Sequence, residues 1–238
     1  MTQFEYNDSW NIFINEDIFN CQSYNNKNIA IIAEPPGIFP VAYEHIINNI
    51  NNIVNKFEYI FIPDKRLHNI HPNVVWASTI GTTWIETPQI YNKTKLVSMI
   101  ASKKDWIEGH QLRYELANSL GNKVDGYGKL FNNHIKYKGD ALNDYMFSIC
   151  VENSKVPGYF TEKIMDCFNT GTIPVYWGDP DIGEYFNING IILLDESFDV
   201  SSLTPELYYS KMEYIKENFE IAQTYTEVNK FWKKRYYS

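Results

Sequence analysis

Short apolar runs of strand length alternate with segments of helical period along almost the entire chain, and this alternation restricts the fold more than any other feature. Asn28 leads into Ile-Ala-Ile-Ile-Ala at 29–33, a run cut off by Pro-Pro-Gly. From 41 to 57, Val41, Ile46, Ile47, Ile50, Ile53, Val54 and Phe57 fall on helical spacing, with asparagines on the other face. Residues 58–62 read as a strand ending at Pro63-Asp64, and 74–77 as another. Residues 86–94 read as a linker, after which the alternation restarts. A strand is expected at 95–102 and a helix at 110–120, closed by Gly121. Strands follow at 124–127 and 145–151, then a helix at 161–169 before Gly171. Strands at 173–177 and 191–194 and two helices, roughly 205–222 and 225–236, complete the chain.

Repeated strand–helix units specify mostly parallel sheets with helices on both faces, because parallel neighbours need a crossover connection. Two such blocks predict an α/β chain of two Rossmann-like domains, a short one at 1–90 and a second at 91–238 that carries the terminal helices. Ligands of open α/β sheets sit beyond the carboxyl ends of the strands. Two domains facing each other across a cleft would bring both sets of strand ends together.

A chain of 238 residues, 44% hydrophobic and 21% charged, is long enough for a substantial core. The net charge of −8 withholds the basic field that general nucleic-acid binding requires, while leaving room for a local basic pocket for a diphosphate. Cys21, Cys150 and Cys167 fit no zinc spacing, and the last two lie in apolar runs, so they read as small buried hydrophobes in a reducing cytosol. The first residues lack a signal-peptide pattern and no apolar run is long enough to cross a membrane, so a cytoplasmic protein is expected. Lys230, Lys233, Lys234 and Arg235 lie beside Phe231, Trp232, Tyr236 and Tyr237. This tail is compatible with weak contact to an anionic membrane surface. Equally, it reads as a terminal helix with cations at its C-terminal end.

The stretch 145–178 carries the chemistry. An apolar strand ends abruptly in Glu152-Asn153-Ser154, a loop turns at Pro157-Gly158 to deliver Tyr159, and Thr161 is a good N-cap for a helix opening with Glu162-Lys163. A lysine in the first turn opposes the helix dipole, and a bound anion would resolve the conflict. Glu162, about 100° round the helix from Lys163, would then face ribose or sugar hydroxyls. A dipole-matched glutamate beside a solvated lysine is the other reading of the same residues.

Val151-Glu-Asn-Ser154, Gly158-Tyr-Phe-Thr-Glu-Lys163 and Thr172-Ile-Pro-Val-Tyr-Trp-Gly178, in this order, resemble the donor-binding signature of glycosyltransferase family 10, the α-1,3/α-1,4-fucosyltransferases. Val151 stands where an aromatic residue is usual in the family. The resemblance extends upstream through Lys95–Ser102, Gln111–Glu115 and Val124–Gly128, and covers about residues 95–195. It implies a GT-B-like fold and an inverting transfer of fucose from GDP-fucose to a hydroxyl of a carbohydrate acceptor, with no essential metal or other cofactor. It assigns Arg113, Asn153, Tyr159, Glu162 and Lys163 to the donor, with Arg113 and Lys163 on the diphosphate. The first 90 residues are short for the family's acceptor domain. A relative using another nucleotide sugar or an unusual acceptor is therefore an alternative, and a non-catalytic nucleotide-sugar-binding protein a more distant one.

Such a transfer needs a base for the attacking hydroxyl and stabilisation of the departing diphosphate. The resemblance places a glutamate after an early strand, and Glu34, held at a strand end by Pro35-Pro36, matches it. Glu5, Glu44, Asp64 and Glu86 are the competing carboxylates. Asp179-Pro-Asp181 has the form of a metal-binding pair and follows a strand and a glycine, but the family resemblance places it in an ordinary post-strand loop; His68 and His71 are three apart but lack other ligands nearby.

Overall fold

In the computed structural model, residues 11–21, 28–78 and 83–236 are described, with side chains through Tyr225. By its internal contacts the chain divides into two compact units, 1–79 with 156–159, and 80–155 with 160–238.

The first unit is built on a four-stranded parallel sheet, β1 Asn11–Ile14, β2 Asn28–Ile31, β3 Tyr59–Ile62 and β4 Val74–Trp76, in the order β1-β2-β3-β4. β2 is buried along its whole length, as its unbroken apolar run demands of a central parallel strand. Helix α1, Pro40–Ile53, begins with proline, whose missing N–H costs nothing there, and covers the sheet with Ala42, Tyr43, Ile46 and Ile53. Two expectations change. Val41 and Ile47, read as part of the inward stripe, are exposed, and α1 ends at Ile53 rather than 57. No strand was expected before residue 29, yet Asn-Ile-Phe-Ile at 11–14 pairs with β2. Asn28 explains the pairing: it is buried, takes a hydrogen bond from the Asn11 amide and donates to the Lys56 carbonyl. Polar residues at both positions hide the strand from a reading based on apolar runs.

The second unit holds a five-stranded parallel sheet in the order β6-β5-β7-β8-β9. Its strands are β5 Lys95–Ile100, β6 Asp125–Tyr127, β7 Tyr145–Val151, β8 Ile173–Trp177 and β9 Ile192–Leu193. The central strand β7 is buried at every position. Its serine, Ser148, is paired in register with Ser98 of β5, the two hydroxyls 3.0 Å apart. Helices α2 Glu108–Leu120, α3 Glu162–Phe168, α4 Pro205–Ser210 and α5 Met212–Tyr236 complete the unit. The break between the last two falls at Lys211, not near 223–225 as expected. Residues 212–236 contain neither glycine nor proline, so nothing stops α5. At the break, Lys211 reaches the Asn189 carbonyl and Tyr208 the Gly171 carbonyl, which are tertiary contacts with no local signal.

The supposed linker 86–94 is bound to the second unit. Gln89 and Tyr91 donate their N–H groups to the Asn169 and Thr170 carbonyls. Lys93 buries its ammonium among the Leu142, Asn143 and Thr170 carbonyls and the Thr172 hydroxyl. Cys21, Cys150 and Cys167 are all buried, as expected of small hydrophobes. Among the described residues, no helix is long and apolar enough to cross a membrane. The side chains of the basic aromatic tail lie outside the described residues.

Candidate active site

The carboxyl end of β7 and the starts of α2 and α3 place four of the expected residues in one network within the second unit. β7 ends at Val151, and Glu152 follows with no solvent exposure at all. Its Oε1 accepts the Thr161 N–H at 2.7 Å, and both of its oxygens accept from the Thr161 hydroxyl. Its Oε2 takes the Lys163 ammonium at 3.1 Å. Thr161 caps α3 as expected, its Oγ1 accepting the Lys163 N–H. Part of the helix start is thus satisfied by the protein's own hydroxyl, and α3 is only 7 residues long. The Lys163 side chain carries more of the site's positive charge than the helix dipole does. Burial disfavours the Lys163 charge, but the Glu152 and Glu162 carboxylates outweigh it and hold the ammonium pKa above its ordinary value.

Arg113, in the second turn of α2, is buried. Its Nε and Nη2 both donate to the Val151 carbonyl, the last of β7, and Nη2 also reaches Asn153 Oδ1 at 3.0 Å. The guanidinium is thereby fixed at the strand end, near enough to Lys163 for the two cations to repel. Gly109 makes this approach possible. The Gly109 N–H donates to the Asn153 carbonyl, and a Cβ at Gly109 would stand 1.9 Å from the Glu152 carbonyl oxygen.

Glu162 does not point free into solvent. Its Oε1 lies 3.2 Å from Lys138 Nζ and 3.8 Å from Lys163 Nζ. Burial alone would raise its pKa, but Lys163, Lys138 and the attendant hydrogen bonds outweigh that and draw it down to about 2. Lys138 also binds Asp166 at 2.9 Å, and Asp166 in turn accepts from the Thr83 hydroxyl and the Trp84 N–H.

His110, one turn before Tyr114 on α2, lies under Trp106 with ring centroids 4.8 Å apart. Its Nδ1 is buried without a hydrogen-bond partner. Burial, with the Arg113 and Lys104 charges, lowers its pKa to about 4, so the ring is neutral near pH 7.

Glu152, Lys138 and His110 are the site residues that sequence reasoning missed as such. Glu152 stood inside the polar cluster at the strand end, and that position was its signal. Lys138 lies 24 residues before Glu162, and no spacing rule connects them.

Tyr159 and Glu34 belong to the first unit. Tyr159 is buried and its N–H closes a turn on the Val156 carbonyl. Gly158 before it has φ of +83°, a conformation that favours glycine. The Gly158 carbonyl takes the Trp76 indole N–H, and Pro157 accepts the Lys65 N–H. Glu34 is half-buried beyond β2. Its carbonyl accepts from the Tyr43 hydroxyl, and the neighbouring Ala33 N–H is held by Asn15 Oδ1. Among the competing carboxylates, Asp64 is bound by both Nε and Nη2 of Arg66, and Glu44 and Glu86 are exposed. Glu5 lies outside the described residues.

The alternative metal readings meet other structure. Asp179 Oδ1 accepts the Asp181 N–H. His68 and His71 each accept a backbone N–H at Nδ1, from Trp76 and Asn73.

The family pattern described as "Glycosyltransferase family 10 (fucosyltransferase) C-term" matches residues 90–236, more than half of the chain. The chain belongs to glycosyltransferase family 10. Among the proteins it resembles, the alpha-(1,3)-fucosyltransferase FucT of Helicobacter pylori is 40% identical over 77 residues, 31% of this chain and 16% of that protein. A putative fucosyltransferase R654 of Acanthamoeba polyphaga mimivirus is 27% identical over 200 residues, 76% of this chain and 30% of the relative. The chain thus spans less than a third of the length of either relative. A solved alpha1,3-fucosyltransferase with GDP superposes with a TM-score of 0.53 at 17% identity, covering 89% of this chain and 68% of that one. TarM superposes at 0.51 and 14% identity, over 92% of this chain and 51% of its own. These likenesses show the fold: the α/β class that the alternation of strands and helices indicates, in the GT-B-like form that the family resemblance implies.

Proposed function

We propose that this family-10 chain is an inverting glycosyltransferase that moves fucose from GDP-fucose to a hydroxyl of a carbohydrate acceptor without an essential metal. The observation that carries the reading is the pairing of two cations, Arg113 and Lys163, at the carboxyl end of β7, where α/β sheets bind ligands. The family's relative in Helicobacter pylori, an alpha-(1,3)-fucosyltransferase, supports fucose as the sugar.

In this reading the acceptor oxygen attacks C1 of the fucose from the face opposite the nucleotide. A C–O bond to the acceptor forms as the bond from C1 to the β-phosphate oxygen breaks. The hydroxyl proton passes to the Glu34 carboxylate, and GDP leaves with the electron pair. Two cations held close together at a cost in mutual repulsion favour a ligand bearing negative charge, and most of all one whose charge grows in the transition state. Arg113 presents its fork to phosphate oxygens, and Lys163 adds a point charge. Asn153 orients Arg113, and the family resemblance adds Tyr159 and Glu162 to the donor ligands. Glu34 is the base in this reading because the family resemblance places a glutamate after an early strand, and Glu34 follows β2.

The test is transfer of labelled fucose from GDP-fucose to a panel of glycans by the native chain and by Glu34→Gln. The variant should keep GDP binding and lose roughly a hundredfold or more in transfer rate. A near-normal rate overturns the assignment of Glu34. Transfer from another nucleotide sugar in place of GDP-fucose would move the chain to the alternative within the family.

A further inference from the structure

Glu162 and Asp166 stand four residues apart on α3 and therefore share a helix face, where like charges repel. One ammonium spans both: Lys138 Nζ is 3.2 Å from Glu162 Oε1 and 2.9 Å from Asp166 Oδ2. Asp166 is almost wholly buried, and its other oxygen is taken by the Thr83 hydroxyl and the Trp84 N–H, each at 2.7 Å. Asp166 therefore acts as an anchor that fixes Lys138, and Lys138 presents its charge to Glu162. The turn carrying Lys138, at 138–141, is itself closed by the Asp140 N–H on the Tyr137 carbonyl and the Leu142 N–H on the Gly139 carbonyl.

Glu162 has a second suitor. Lys163 Nζ lies 3.8 Å from the same Oε1, the longer of the two approaches. A carboxylate drawn fully onto Lys163 would neutralise the charge that the donor diphosphate needs.

We propose that Lys138 is a positioning residue: it holds the Glu162 carboxylate on the face of α3 shared with Asp166, and so keeps Lys163 available to the phosphates of the donor. The inference rests on the reading of Lys163 as a diphosphate ligand given above. The charged groups facing Glu162 are Lys138 from the 138–141 turn and Lys163 and Asp166 from its own helix. Glu152 and Arg113 act on it through Lys163. The depressed acidity constant of Glu162 and the raised one of Lys138 agree with a fully ionised pair.

The experiment uses the full chain, with GDP as probe, and the variants Lys138→Met, Lys138→Arg, Glu162→Gln and the double variant Lys138→Met/Glu162→Gln. Lys138→Met should weaken GDP binding roughly fivefold to tenfold, and Lys138→Arg should restore most of the loss. In the Glu162→Gln background, Lys138→Met should have no further effect on GDP binding, because the carboxylate that competes for Lys163 is already gone. An equal loss in both backgrounds would mean that Lys138 merely supports the fold, and would overturn the proposal. Carboxyl carbon NMR of Glu162 gives a reading independent of donor binding. Its titration should move to higher pH in Lys138→Met, and an unmoved titration overturns the pairing. If the native chain does not bind GDP while the Glu162 titration still responds to Lys138, the donor-site reading fails and the pairing stands.

Discussion

Lys163 and Glu152 form an ion pair of 3.1 Å in which the glutamate side chain has no solvent exposure and the lysine side chain keeps about a quarter of its own. The same carboxylate holds the Thr161 N–H and hydroxyl. One buried residue after β7 therefore sets both the start of α3 and the direction of its first cation.

Glu152→Gln keeps the shape and removes the charge. Lys163 is then left without its main counterion, and stability should fall by about 2 kcal/mol, less than for a fully buried pair because Lys163 is partly hydrated. Thermal denaturation and GDP titration of the same variant check this. Unchanged melting and unchanged GDP affinity would contradict the role given to Glu152.

Arg113→Lys tests whether the fork or the charge matters. Lysine cannot donate to the Val151 carbonyl and Asn153 together in the planar geometry that Arg113 uses. GDP affinity should drop roughly tenfold with charge retained, as expected for one lost charge-assisted hydrogen bond. Equal affinity would reduce Arg113 to a general cation.

Gly109→Ala sets two effects against each other. Alanine is the better helix former by about 1 kcal/mol. Yet its Cβ would stand 1.9 Å from the Glu152 carbonyl oxygen and 2.7 Å from that of Asn153, both backbone atoms at the site. Steric exclusion wins, and the variant should lose about 1–3 kcal/mol of stability together with GDP binding.

Lys93→Met leaves the Leu142, Asn143 and Thr170 carbonyls without their shared donor and should cost about 3 kcal/mol. The native lysine also makes stability depend on pH. Burial lowers its pKa from the ordinary 10.5 to about 7. From about pH 7 to 10 the unfolded chain binds more protons than the folded one at this site, so the native protein's stability should rise relative to Lys93→Met. Denaturant unfolding of both at pH 7 and pH 9.5 reads the difference. A gap that narrows with pH would reverse the sign.

The central strands of the second unit were legible because each is an apolar run closed by a glycine or a polar cluster. β7 and β8 follow the reading residue for residue. β1 was not, because its partner contacts run through Asn11 and Asn28, which look like surface residues in isolation. The break at Lys211 was equally hidden, since contacts to residues 171 and 189 decide it. At the site, Arg113, Asn153, Glu162 and Lys163 were readable as a group and do form one network. For Glu162 the sequence offers ligand hydroxyls or the helix dipole, and the structure adds a partner, Lys138, from a distant turn. Long-range ion pairs leave no period in a sequence.

The central claim is that Arg113 and Lys163 hold the diphosphate of a guanosine donor. Calorimetric titration of the purified chain with GDP, GDP-fucose, GDP-mannose and UDP, each with and without EDTA, tests it most directly. The account expects selective binding of GDP and GDP-fucose, unaffected by EDTA and weakened in Arg113→Ala and Lys163→Ala. Binding of UDP alone, or GDP affinity unchanged in both variants, would contradict it.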